Sequence, residues 1–99
     1  MSEWIRAEDG LPECVYPEPL VEGHDPDWIP GYFSESVLIL IDEEFFNKCF
    51  MGFHRTNYIV GYRYVNKNYN TDIFYPESSD VTEIPSQYVI KWMHIPSST

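Results

Sequence analysis

Arg55, Tyr58, Tyr62, Arg63, Tyr64 and Lys67 interleave cations with phenol rings along one short stretch of the chain. Guanidinium groups fork onto phosphate oxygens and aromatic rings stack on bases, so the pattern suits a small anionic ligand of the nucleotide type. It equally suits a wet sheet face carrying ordinary cross-strand aromatic and arginine pairs. A second cluster, Glu22-Gly23-His24-Asp25-Pro26-Asp27, sets an imidazole among carboxylates, a donor set for a divalent cation. Its spacing fits no EF-hand or zinc signature, and Asp before Pro is turn chemistry, so it reads as an acidic solvated turn. No metal or other cofactor is expected. Cys49 with His54 or His94 would supply a thiol and a base. Cys49 alternates in phase with Met51 and Phe53, however, which reads as a buried structural thiol.

The nucleotide-binding and hydrolase signatures G-x-x-x-x-G-K, G-x-G-x-x-G, H-E-x-x-H and G-x-S-x-G are all missing from the chain. The expectation is a binding protein with no catalytic residues. Charge narrows what it binds. Residues 1–44 carry twelve acids against Arg6 alone, a balance of −11, whereas residues 45–99 carry four acids against five bases, a balance of +1. The chain as a whole stands at −10. A polyanion is bound largely through neutralised phosphates, so direct nucleic-acid binding is not expected. Two partners remain: a small anionic ligand held by the second-half bases, or a basic protein covered by the acidic first half. A symmetric homo-oligomer that completes the site across a subunit contact is open under either reading.

These residues must be positioned by one small domain, because 99 residues support a single core. The composition is 43% apolar and 17% aromatic, and the Tyr and Phe residues fall on strand-like stretches, so a core can be buried on pleated surfaces. Residues 4–12 read as an extended arm that carries Trp4, Ile5 and Leu11 into the core. Residues 13–32 hold Pro17, Pro19, Pro26 and Pro30 with five acids and no base, which predicts a long acidic loop without regular structure, anchored by Trp28 and Ile29. Residues 36–41 are apolar on both faces, as a central strand covered on both sides would be. Residues 48–56 alternate and are expected to form a strand, with residues 42–47 supplying one helical turn at most. Residues 59–65 alternate as well, the Asn-rich residues 66–70 supply turn chemistry, and residues 71–75 and 88–95 complete the set. The predicted fold is mainly β: one antiparallel sheet or partly open barrel of four to six strands, with Trp4 meeting Trp92 in the core.

The N-terminal Trp4-Ile5-Arg6-Ala7-Glu8-Asp9-Gly10-Leu11-Pro12, the stretch Ser36-Val37-Leu38-Ile39 and the C-terminal Ile90-Lys91-Trp92-Met93-His94-Ile95-Pro96 follow one another along nearly the whole chain. In that order they resemble a phage and prophage small-protein family catalogued as domain of unknown function 551, whose members open with W-I-x(5)-L-P, continue to V-L-V and end near H-W-M-P-L-P. This chain differs in placing residues 13–35 between the Leu-Pro and the central strand, and in carrying Lys91 where the family has its histidine. The resemblance implies a short antiparallel β fold encoded by a phage or mobile element, and hence an accessory role such as counter-defence. It implies no chemistry. No stretch approaches the roughly 20 apolar residues of a membrane helix. The N-terminus also lacks a basic segment followed by an apolar one, so the expected compartment is the cytoplasm, that of the host if the chain is phage-encoded.

Overall fold

The computed structural model describes residues 4–50, 57–77 and 83–95. In chain order the strands are β1 (Ile5–Arg6), β2 (Tyr16–Pro17), β3 (Tyr32–Phe33), β4 (Val37–Ile41), β5 (Tyr58–Asn66), β6 (Thr71–Pro76), β7 (Ile84–Pro85) and β8 (Val89–His94). One helix, α1 (Glu43–Phe50), follows β4. The fold is mainly β, an open and wholly antiparallel sheet. Its frame is four strands of five or more residues, β4, β5, β6 and β8, extended at the margins by four strands of two residues.

Nine residues long, β5 is the strand on which the others are arranged. One of its edges pairs first with β4, Leu40 opposite Tyr58 through Val37 opposite Gly61, and then with β3, Phe33 opposite Tyr64. Ser34 occupies the junction: its N–H donates to the Arg63 carbonyl, and its hydroxyl accepts from the Arg63 N–H. The other edge of β5 pairs with β6 from Gly61 opposite Pro76 to Asn66 opposite Thr71. Residues 67–70 close this hairpin, with Asn66 accepting from the Asn68 N–H and Asn70 in the left-handed region at φ 53°. Asparagine tolerates that conformation better than most residues do.

One face of the sheet carries the core. Val37, Ile39 and Ile41 are fully buried against Ile59, Phe74, Ile84, Val89, Trp92 and Phe46 of α1. The intervening Leu38 and Leu40 are only half-buried, so β4 is not covered equally on both sides as its composition suggests. Pleating puts alternate residues on opposite faces, and the described elements bring the clustered core side chains to one of the two, with Tyr64 and Asn66 buried on the other.

The sequence reading of residues 48–56 as a strand is corrected over its first part, because residues 48–50 end α1. Residues 51–56, with Arg55, lie outside the described residues. Local chemistry favours the helix. Asp42 caps it by accepting from the Phe45 N–H at 3.1 Å, Glu43 and Glu44 complement the first turn, and Lys48 pairs with Glu44 one turn earlier. The helix turns Phe46 into the core, while Phe45 stacks on Tyr88 at 4.3 Å.

The two terminal tryptophans are also separated. Ile5 lies opposite Trp92 across β1 and β8, which sends Trp4 to the other face. There it meets Tyr58 at 5.6 Å and lies under the Lys91 ammonium at 4.8 Å. The long loop is corrected in a different way: it contains β2 and begins β3, and this pair adds an edge to the sheet beyond β5.

Trp92 is 5% exposed and donates from Nε1 to the Gly10 carbonyl. Trp92→Ala is expected to cost about 3 to 5 kcal/mol. Trp92→Phe keeps most of the packing and leaves the Gly10 carbonyl without its donor, at a cost of about 1 kcal/mol. Asp42→Ala should cost about 1 kcal/mol through loss of the helix cap. Urea denaturation of the three variants checks this order, and equal midpoints for the two Trp92 variants would contradict it.

Candidate functional site

A strand cannot put neighbouring residues on one surface, and that decides where the candidate binding residues go. Tyr62 and Tyr64 share one face of β5, and Arg63 stands on the opposite face, directly across from the buried Phe74. Tyr58 sits at the far end of the strand beside Trp4. Lys67 follows the strand in the 3-10 turn and lines, with Arg63, Asp72 and Cys14, a separate cavity of about 330 Å³. The sequence-predicted cluster is therefore divided between two faces and two ends.

Standing at the margin of the core face, the Arg63 side chain is only 18% exposed, and its charge is balanced from within the chain. Nη2 and Nε fork onto the two oxygens of Asp72 at 2.6 and 2.8 Å, and Nη1 donates to the Pro12 carbonyl at 3.0 Å. Hydrogen bonding to Asp72 outweighs burial and raises the pKa of the guanidinium further above its ordinary value. Burial opposes ionisation of Asp72 in turn, but donation from Arg63 and from the Ser86 hydroxyl holds its carboxyl below the usual aspartate range. The pair ties the N-terminal arm to β6. Beside it Cys14 is a free thiol whose pKa burial raises, with Arg63 working in the opposite direction.

On the opposite face a cavity of about 410 Å³ opens over Tyr62 and Tyr64. The hairpin turn sets Tyr75 directly opposite Tyr62, and β3 sets Phe33 opposite Tyr64, so four rings converge from three strands. Their centroids lie 4.9 to 6.2 Å apart in tilted or edge-on pairs. The loop adds Trp28, which stacks on Tyr69 at 4.3 Å. Two carboxylates, Glu18 and Glu83, complete the walls, and among the described residues no base lines them.

Glu18 holds the loop in place. Its Oε1 accepts from the Tyr64 hydroxyl at 2.7 Å, the Gly31 N–H at 3.0 Å and the Trp28 indole at 3.3 Å. Partial burial works against ionisation, yet these three donors hold its carboxyl below the ordinary glutamate range. Burial first, and then the neighbouring carboxylates, push the Tyr64 and Tyr75 phenols upward, so both stay neutral. The backbone of Gly31 runs hard against β5: a Cβ there would stand 2.3 Å from the Val65 carbonyl oxygen and 2.9 Å from the Tyr64 ring. Asn66, 2% exposed, adds a bond to the Ile29 carbonyl at 2.8 Å. Trp28 thus anchors the loop through its ring, as expected, whereas Ile29 does so through its backbone while the residue stays 49% exposed.

No protein-family model, curated protein or solved structure matches this chain.

The acidic turn of the loop uses its own donors. The Asp27 N–H donates to Asp25 Oδ1, and His24 Nδ1 sits 2.8 Å from the Val21 carbonyl. Among the described residues no three His, Cys, Asp or Glu side chains gather as a metal site. Of the cavity's walls, Tyr75 was accessible to sequence reasoning, since the turn at residues 67–70 sets its register. Glu18, Trp28 and Phe33 come from a proline-rich stretch with no periodicity, and nothing local announces where they dock.

Gly31→Ala should cost about 1 to 3 kcal/mol, because the obstruction is backbone and cannot swing aside. Thermal melting checks this, and an unchanged midpoint would show that the loop rides free of β5. For the ion pair the sign follows from the depressed carboxyl of Asp72. Its contribution to stability is complete above the ordinary aspartate pKa of about 3.9 and is lost as the pH falls through the lower folded value. Melting temperatures across acid pH should therefore fall less steeply for Asp72→Asn than for the parent chain, from a lower starting point at neutral pH.

Proposed function

We propose that this chain is a non-enzymatic binding protein whose acidic surface covers a basic protein. One observation carries the reading: among the described residues nearly every Lys and Arg is engaged at home, while six carboxylates face solvent with no base beside them. Arg6 reaches Glu8 and Asp9, Lys48 reaches Glu44, Arg63 is spent on Asp72, and Lys91 lies on the Trp4 ring. Among the described residues only Lys67 has no such partner. Glu13, Glu22, Asp25, Asp27, Glu43 and Glu83 are exposed and meet no cation among the described residues. A field of one sign raises encounter rates with the opposite sign and repels its own. A phosphate ligand at the second-half bases would have to compete with Asp72 for Arg63, which weighs against the anionic alternative. A phage or prophage setting, with an accessory role such as counter-defence, rests on the resemblance of the chain's two ends and central strand.

Isothermal titration with a basic polypeptide, nona-arginine, at low salt and at about 0.3 M NaCl tests the reading. Association should be strong at low salt and fall steeply as the Debye length shortens. Replacing Glu22, Asp25 and Asp27 together (Glu22→Gln, Asp25→Asn, Asp27→Asn) should weaken it about tenfold, since rim charges act mainly on encounter. The melting temperature should not move with nucleotides or cyclic nucleotides. A rise with them, without any response to nona-arginine, would favour the anionic ligand instead.

A further inference from the structure

We infer that the aromatic cavity on the outer face of β5 and β6 is a seat for one arginine side chain of the basic partner, with Tyr62, Tyr64, Tyr75, Phe33 and Trp28 as its walls and Glu18 and Glu83 as its acceptors. The inference rests on the reading of a basic partner and adds the group by which that partner is recognised.

Three features of the cavity select a cation. Aromatic faces are negative and attract positive charge within about 6 Å of a ring centroid. Among the described residues five aromatic side chains line this space, together with two carboxylates and no base. The acceptors also have unused capacity. All three donors to Glu18 converge on Oε1, which leaves Oε2 without a partner among the described residues. Glu83 is exposed and makes no hydrogen bond or ion pair among the described residues, and the Tyr62 and Tyr75 hydroxyls are equally uncommitted. The Glu18 hydrogen bonds hold two of the walls, Tyr64 and Trp28, in place before any ligand arrives.

Among cations, guanidinium meets these conditions best. It is planar and weakly hydrated, so it can lie on a ring while its edge N–H groups fork onto carboxylate or phenol oxygens. A primary ammonium is compact and strongly hydrated, and gives up more on entering an aromatic space. A quaternary ammonium carries no N–H and would leave the oxygens of Glu18 and Glu83 unanswered. The cavity, at about 410 Å³, accommodates the head group and part of its stem.

Nitrogen-15 NMR of the full chain, titrated with N-acetyl-arginine amide, N-acetyl-lysine amide and tetramethylammonium, tests the assignment. The arginine probe should shift the indole N–H of Trp28 and the amides of Tyr62 and Tyr75, at lower concentration than either other probe, and leave the Trp92 indole in place. Glu83→Gln, at an exposed position, and Tyr62→Leu should each weaken the arginine response about fivefold, the scale of a single cation–π or exposed charge contact. Unchanged melting of Glu83→Gln separates its effect from misfolding. Equal shifts from tetramethylammonium would overturn the choice of guanidinium, and equal shifts from lysine would reduce the effect to net charge. Salt-sensitive binding of nona-arginine with no shift at Trp28 would overturn the seat and leave the basic-partner reading standing. A shift at Trp28 without nona-arginine binding would overturn the reading and leave a guanidinium site.

Discussion

The period-two alternation of β5 is the constraint from which the remaining architecture follows. Its residues on one side feed the core, where Ile59 packs with Ile39 and Phe74, and its residues on the other side build the aromatic cavity. Because the strand is long enough for two successive partners on one edge, β4 and then β3, it carries the chain from the covered core to the loop-lined end. Ser34 makes that change of partner tolerable by answering both backbone groups of Arg63 at the gap. A slip of one residue would exchange every side chain between the faces, so the pattern is strongly specified.

Alternation also explains the distribution of charge. Arg63 falls in phase with the core residues, and a guanidinium mostly out of water needs a counter-charge supplied by the fold. Asp72, its diagonal neighbour on β6, provides it, and Ser86 and Pro12 meet the remaining valences. An arginine that looks available in the sequence is thereby a structural tie. The tyrosines on either side of it fall out of phase, and face a space whose ionised groups are carboxylates. A stretch that reads as cationic becomes, once folded, an acidic aromatic surface.

The loop is held by polar bonds more than by burial. Glu18, Gly31, Asn66 and Tyr64 form a connected set in which backbone and side-chain donors converge on a few acceptors. None of its residues between 13 and 32 belongs to the hydrophobic core. Its attachment to β5 therefore adds to stability through hydrogen bonds and the close approach at Gly31, not through the core.

What the amino-acid order determines by itself is local. Strand periodicity marked β4, β5, β6 and β8, and proline density marked the long loop, because pleat and φ restriction act over a few residues. The Asn-rich turn and the net acidity were legible for the same reason. The helix at Glu43–Phe50 was legible too, in the Asp42 cap and the Glu44–Lys48 pair, but the alternation that begins at Lys48 competes with those signals and won the sequence reading. Which face of β5 would be polar, and whether Arg63 would be free, depended on Asp72 and Pro12. The separation of Trp4 from Trp92 depended on Ile5 pairing opposite Trp92. The cavity required Glu18 and Trp28 to reach Tyr64 and Tyr69 from a stretch without periodicity. Contacts between residues dozens of positions apart are chosen by packing and by the satisfaction of buried polar groups, and only the folded chain brings those competing partners within reach of one another.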